Sequence, residues 1–179
     1  MLIISFGYVG TAQTNEKIKS CSELTYSDLG FVQLADKDES GEKLIIYGRV
    51  IDAISGQTIK NANLFFYQAG NDGNYNSSFI GMPSFARIRG KVKTNADGCF
   101  KIKTIVPGNY PGQIDGKHIH VIAKAKGYEK WMFEFLFEGW ISENLRKEIQ
   151  QNNDAIILEL GEKDSGSWVV QTKIKLKQK

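Results

Sequence analysis

Long apolar runs are missing from this sequence, and none of its stretches could cross a bilayer as a helix. A strong charge of either sign is missing too. The net charge is only +3, and much of the basic excess sits in Lys173, Lys175, Lys177 and Lys179, which read as a solvated end. With no basic patch interleaved with aromatics, nucleic acid is not an expected partner. Cysteine is scarce: Cys21 and Cys99 could pair in an oxidising compartment, but two residues so far apart in sequence do not establish a bond. Cys99 lies in a strand pattern and reads more simply as a small buried side chain. Cys21 has no apolar stretch before it, which argues against lipid attachment. There is no internal repeat and no break in composition, so 179 residues read as one domain. An apolar share of 41% sets the chain apart from disordered sequences.

What is present is a succession of short alternating runs separated by turn formers. Leu44–Ile51, Asn63–Gln68, Ala86–Thr94, Cys99–Ile105, His118–Ala125, Trp131–Phe137, Ala155–Leu160 and Trp168–Leu176 each read as a strand. Asn95-Ala-Asp-Gly98 turns one run into the next as a hairpin. On Ala86–Thr94 the basic residues Arg87, Arg89, Lys91 and Lys93 share one face. Only Ile141–Gln151 has helical spacing, with Ile141, Leu145 and Ile149 on one side. The expectation is an all-β protein, an antiparallel sandwich with one short helix near the C-terminus. Residues 13–43 are polar and mixed, and the sandwich is expected over 44–179. The first twelve residues have the apolar body and small-residue end of a secretory signal, with cleavage near Ala12 and export as the consequence. No Lys or Arg precedes that apolar body, and Leu2–Val9 reads alternatively as an ordinary first strand.

The candidates for chemistry are few. The chain has two histidines, His118 and His120. At this spacing in a strand both imidazoles point to the same face, and imidazole suits iron, copper and zinc alike. Tyr110 lies eight residues before the pair, in a loop stiffened by Pro107 and Pro111. Tyr75 follows the turn formers Asp72-Gly-Asn74. A phenol titrates near pH 10, so divalent ions seldom recruit it, whereas a trivalent ion can drive its proton off. The residues alone leave open whether Tyr75 and Tyr110 are ligands or loop-packing aromatics.

Five segments, in order, resemble those of the intradiol ring-cleavage dioxygenases. They are Ile46-Tyr-Gly-Arg-Val-Ile-Asp-Ala-Ile-Ser-Gly56 with Asn61-Ala-Asn-Leu64, then Phe66 to Tyr75, then Arg89 to Gly98, then Thr104-Ile-Val-Pro-Gly-Asn-Tyr-Pro111, and then Lys117-His-Ile-His-Val121. The resemblance implies a non-haem Fe(III) centre with Tyr75, Tyr110, His118 and His120 as ligands. It also implies cleavage of a catechol-type diol between its hydroxyls by O2, with Tyr75 leaving the metal when the diol binds.

Two positions depart from the family pattern. Asp115 stands where the family has an arginine thought to stabilise substrate charge, and Glu134 stands where it has a glutamine. On this reading Tyr75, Arg89 and Glu134 are the catalytic candidates, and Arg89, Asp115 and Lys117 are expected near the substrate. Two carboxylates beside a dianionic catecholate would repel it. The pattern of Gly48-Arg-Val-Ile-Asp52 also resembles transthyretin-like and carboxypeptidase-regulatory sandwiches. A catalytically degenerate iron- or catecholate-binding module, or a purely structural one, is therefore the alternative.

Overall fold

Alternation of apolar and polar side chains at a period of two dictates most of the elements. The computed structural model describes residues 20–75, 86–114 and 116–179. The expected leader and Asp115 therefore lie outside the described residues. Among the described residues, ten strands form two sheets: β1 (Gly30–Gln33), β2 (Lys43–Asp52), β3 (Asn63–Gln68), β4 (Ile88–Lys93), β5 (Cys99–Ile105), β6 (His118–Lys124), β7 (Trp131–Phe137), β8 (Ala155–Leu158), β9 (Lys163–Asp164) and β10 (Ser167–Leu176). One sheet runs β1-β5-β2-β10-β9, and the other runs β4-β3-β6-β7-β8. The single α-helix among the described residues, α1 (Glu143–Asn152), crosses between β7 and β8.

The core sits between the sheets. Leu44, Ile46, Phe100, Ile102 and Ile174 face Leu64, Phe66, Ile119, Val121 and Phe135, and all are essentially without solvent exposure. Phe66 meets Phe100 at 5.8 Å between ring centroids and Phe135 at 6.2 Å, within the range of favourable aromatic pairs. Gly48 is required by this packing, because a Cβ there would lie 2.1 Å from the Phe100 ring.

The expected sandwich and its one helix are present, with differences that have local causes. β1/β5, β2/β10 and β7/β8 pair in parallel, so both sheets are mixed. Parallel neighbours need long connections, and a turn-based reading of sequence cannot see them. The strand β1 falls in the polar segment, where a four-residue run carries too little alternation to announce itself. The helix starts two residues later than its apolar spacing suggests, because the Ser142 hydroxyl accepts from the Leu145 N–H and caps it. Cys99 is buried, but it is not a thiol. It is bonded to Cys21, with Cα atoms 5.6 Å apart, and so ties the short 3-10 turn Cys21–Glu23 to β5.

Candidate metal centre

The outer face of the second sheet carries the site, on the edge nearest two glycine-rich loops. One loop leaves β3 and ends at Tyr75; the other leaves β5 and ends at Tyr110. Buried polar groups lock their starting points together. Gln68 donates to the Ile105 carbonyl at 3.0 Å, and the Thr104 hydroxyl donates to Gln68 Oε1 at 2.8 Å. Beyond them the loops touch backbone to backbone, and the Gly108 N–H donates to the Gly70 carbonyl at 2.9 Å. Gly73 has φ +76°, and a Cβ there would lie 1.8 Å from the Asn109 carbonyl oxygen. Only glycine satisfies both conditions, so this contact sets where Tyr110 begins.

The two tyrosines and two histidines converge. The phenol oxygens of Tyr75 and Tyr110 are 2.5 Å apart. The Tyr110 oxygen lies 2.8 Å from His118 Nε2 and 3.4 Å from His120 Nε2. The Tyr75 oxygen lies 2.9 Å from His120 Nε2, and the two Nε2 atoms are 3.1 Å from each other. The opposite nitrogens fix the tautomers. His118 Nδ1 meets the Gly116 carbonyl at 2.5 Å, an atom that can only accept. His120 Nδ1 meets the Glu134 carboxylate at 3.1 Å. Both Nδ1 atoms therefore carry protons, and both Nε2 atoms face the cluster.

Electrostatics makes the cluster short of positive charge. Burial and then the Tyr110 contact hold the Tyr75 hydroxyl well above the usual phenol range. Burial does the same to Tyr110, although the Tyr75 hydrogen bond pulls the other way. Burial lowers His118, resisting imidazolium. Burial pushes Glu134 up, but its hydrogen bond to His120 and the nearby imidazoles outweigh this and leave it lowered. Two phenol oxygens and two imidazole nitrogens thus share one small space. Two hard phenolate oxygens and two imidazoles fit a trivalent ion that displaces the phenol protons, and Fe(III) is such an ion.

The remaining candidates divide. His118, His120 and Glu134 each offer a ligand atom within 4.8 Å of the others, but Glu134 approaches the far nitrogen of His120. This makes it the partner of His120, directly opposite on β7, and it shares the wall of a concavity with His118. Lys117, expected near substrate, holds its ammonium over the Trp140 ring at 4.8 Å, a favourable cation–aromatic contact. Arg89 lies on the same sheet face, one strand beyond Tyr67, and its guanidinium donates to the Ala86 carbonyl. Tyr67 was not anticipated, although its ring stacks on His120 at 4.3 Å. Its place two residues from Phe65 on an outward-facing row was the available signal.

Comparison with known proteins bears on the family and the fold. The Dioxygenase family model (Dioxygenase_C) matches residues 20–151. The 6-chlorohydroxyquinol 1,2-dioxygenase of Cupriavidus pinatubonensis is 28% identical over 152 residues, covering 71% of this chain and 54% of that protein. This chain spans about half the length of the curated relatives it matches. Among solved structures, the dioxygenase domain of a dioxygenase–carbohydrate-binding fusion from Streptomyces sp. SirexAA-E superposes with a TM-score of 0.65 at 26% identity, covering 82% of this chain and 87% of that one. The 3-chlorocatechol 1,2-dioxygenase of Rhodococcus opacus 1CP gives 0.63 at 24% identity, covering 82% and 65%. The chain belongs to the intradiol ring-cleavage dioxygenase family.

Proposed function

We propose that this protein holds Fe(III) through Tyr75, Tyr110, His118 and His120 and cleaves a catechol-type diol between its two hydroxyls with O2. The observation that carries the reading is the convergence of four donor atoms whose histidine tautomers are fixed from behind. Bound there, Fe(III) supplies a Lewis acid for the diol oxygens and access to the redox chemistry of O2.

The chain supplies position and proton traffic. Gly116 and Glu134 orient the two imidazoles. The Tyr75 oxygen contacts both Tyr110 and His120, so as a phenolate it can take a proton from an incoming diol. Beside His118 a concavity of about 450 Å³, with Ile114, Leu136 and Leu145 in its walls, offers an apolar bed for the ring. Glu134 favours a second reading, an iron-holding sandwich that binds catecholates and turns them over slowly. Its carboxylate brings negative charge toward a dianionic substrate where the family has a neutral amide.

The test is iron-loaded protein with catechol, pyrogallol and larger diols, followed by oxygen uptake and muconate-type absorbance. A red-brown sample that consumes O2 with a diol supports the enzyme. Coloured protein that binds diols without oxygen uptake selects the second reading. A colourless sample, or His118→Ala and His120→Ala variants that keep full iron, sinks both. We also propose that the chain works in an oxidising compartment after export, a reading supported by the Cys21–Cys99 bond. Amino-terminal sequencing of the native protein checks it, and recovery from the cytosol with Met1 intact counts against it.

A further inference from the structure

The outer face of the second sheet does not end at the metal centre. Strand register arranges it in rows of side chains across β4, β3, β6 and β7. The row at the centre is Arg89, Tyr67, His120 and Glu134; the next is Lys91, Phe65, Ile122 and Met132; the third holds Lys93, Asn63 and Lys124. Successive rows are two residues apart, so the third row lies about 13 Å from the first.

These rows change character with distance from the centre. The aromatic face continues outward from His120, with Tyr67 stacked on it at 4.3 Å and Phe65 stacked on Tyr67 at 5.9 Å. The second row leaves apolar surface in solvent, and Met132 is 53% exposed. The third row is cationic. Ile122 belongs to the walls of two concavities. One, of about 300 Å³, reaches back to His120 and Glu134. The other, of about 870 Å³, extends over Phe65 to Lys91, Lys93 and Lys124 without a carboxylate in its lining. None of these lysines forms an ion pair among the described residues. Lysines on β4 alone would be ordinary guards of a sheet edge, but Lys124 projects from β6, in the sheet interior, beside an exposed apolar row.

We propose that this strip is an extension of the substrate site, selecting elongated diols with an apolar body and a terminal carboxylate. The diol head lies at the metal centre, the body over Phe65, Ile122 and Met132, and the anion between Lys93 and Lys124. The position of the head rests on the function proposed above; the strip itself rests on the register and the charges. It also gives Glu134 a consistent setting, because attraction at the far end offsets repulsion near the head.

The test uses 6-(3,4-dihydroxyphenyl)hexanoate and its primary amide, titrated without oxygen into iron-loaded protein and followed by the visible charge-transfer band. The acid should bind about fivefold more tightly than the amide, as expected for two exposed charge pairs. In Lys93→Glu/Lys124→Glu the preference should vanish or invert, while plain catechol binds as before. Equal binding of acid and amide to the unmodified protein overturns the proposal, as does a preference that survives charge reversal. Should the double variant not fold, Lys124→Gln alone should at least halve the preference, and an unchanged ratio counts as refutation.

Calorimetry with 6-phenylhexanoate and its amide reads the strip without the diol. If no diol moves the band but this acid is still preferred through Lys93 and Lys124, the strip stands and the diol chemistry falls. If acid and amide bind alike here too, the strip falls as well.

Discussion

Replacing Gly73 with alanine should empty the metal centre while leaving the sandwich folded. Two costs arise at this position. A left-handed φ of +76° costs an alanine about 1–2 kcal/mol. The new Cβ would also lie 1.8 Å from the Asn109 carbonyl oxygen, so the two loops must part by more than an ångström. Asn109 precedes Tyr110, and the displacement passes directly to a phenol oxygen that must sit within about 0.2 Å of its coordination distance. Gly112 supplies the control. It follows Tyr110 by two residues and has φ +83°, yet a Cβ there meets nothing within 4 Å. Gly112→Ala therefore carries the conformational cost alone. Each variant would be assayed for thermal midpoint, iron per chain and visible absorbance. Both should lose some stability, but only Gly73→Ala should lose iron and colour. Full iron in Gly73→Ala, or equal loss in the two variants, would refute the argument that loop-to-loop contact places Tyr110.

Other outcomes follow from single contacts. Glu134→Ala should weaken iron retention about ten- to a hundredfold in competition with a chelator, whereas Glu134→Gln keeps an acceptor for His120 Nδ1 and should retain most of it. Cys21→Ser should cost about 2–4 kcal/mol and lower the thermal midpoint by roughly 5–15 °C; an unchanged midpoint would show that the 3-10 turn is held by packing alone. Asp52 accepts from the Ser55 N–H, the Gln178 side chain and the Ile54 N–H, which hold its carboxyl far below the usual range. Because its folded value is depressed, its contribution is complete above about pH 4 and is lost on further acidification. Asp52→Asn should therefore flatten the acid limb of stability against pH, and parallel acid limbs in the two proteins would disprove this role.

Much of the site was legible because its parts are local. The spacing of His118 and His120 guarantees a shared face whatever else the chain does, and the loops that hold Tyr75 and Tyr110 are marked by Gly70, Gly73, Pro107 and Gly108. The alternation in Asn63–Gln68, Cys99–Ile105 and Trp131–Phe137 gave those strands to the residue. What escaped depends on juxtaposition. Glu134 belongs to His120 only through the β6/β7 register, and Lys117 is drawn to Trp140 across 23 residues of chain. The Cys21–Cys99 bond spans a separation of 78, across which sequence carries no proximity signal. Arg89 and Tyr67 face each other across β3 and β4, so the strip beyond the centre becomes visible only when three strands are laid side by side.

The pairing of β10 with β2 has a consequence in time as well as in space. The last strand runs parallel to β2 along ten matched residues and sits inside its sheet, between β2 and β9. During synthesis β2 emerges before β10 and must wait for every strand between them before this second neighbour exists. Until then one side of it is an open edge, able to pair with another chain. The four candidate donors, two on loops and two on β6, are all made before Ser167, yet the sheet behind them is complete only when β10 pairs with β2. If the centre holds iron as proposed, the metal should enter only after β10 has joined its sheet. A chain cut before β10 should reach the cell with every candidate ligand intact and no centre to bind iron.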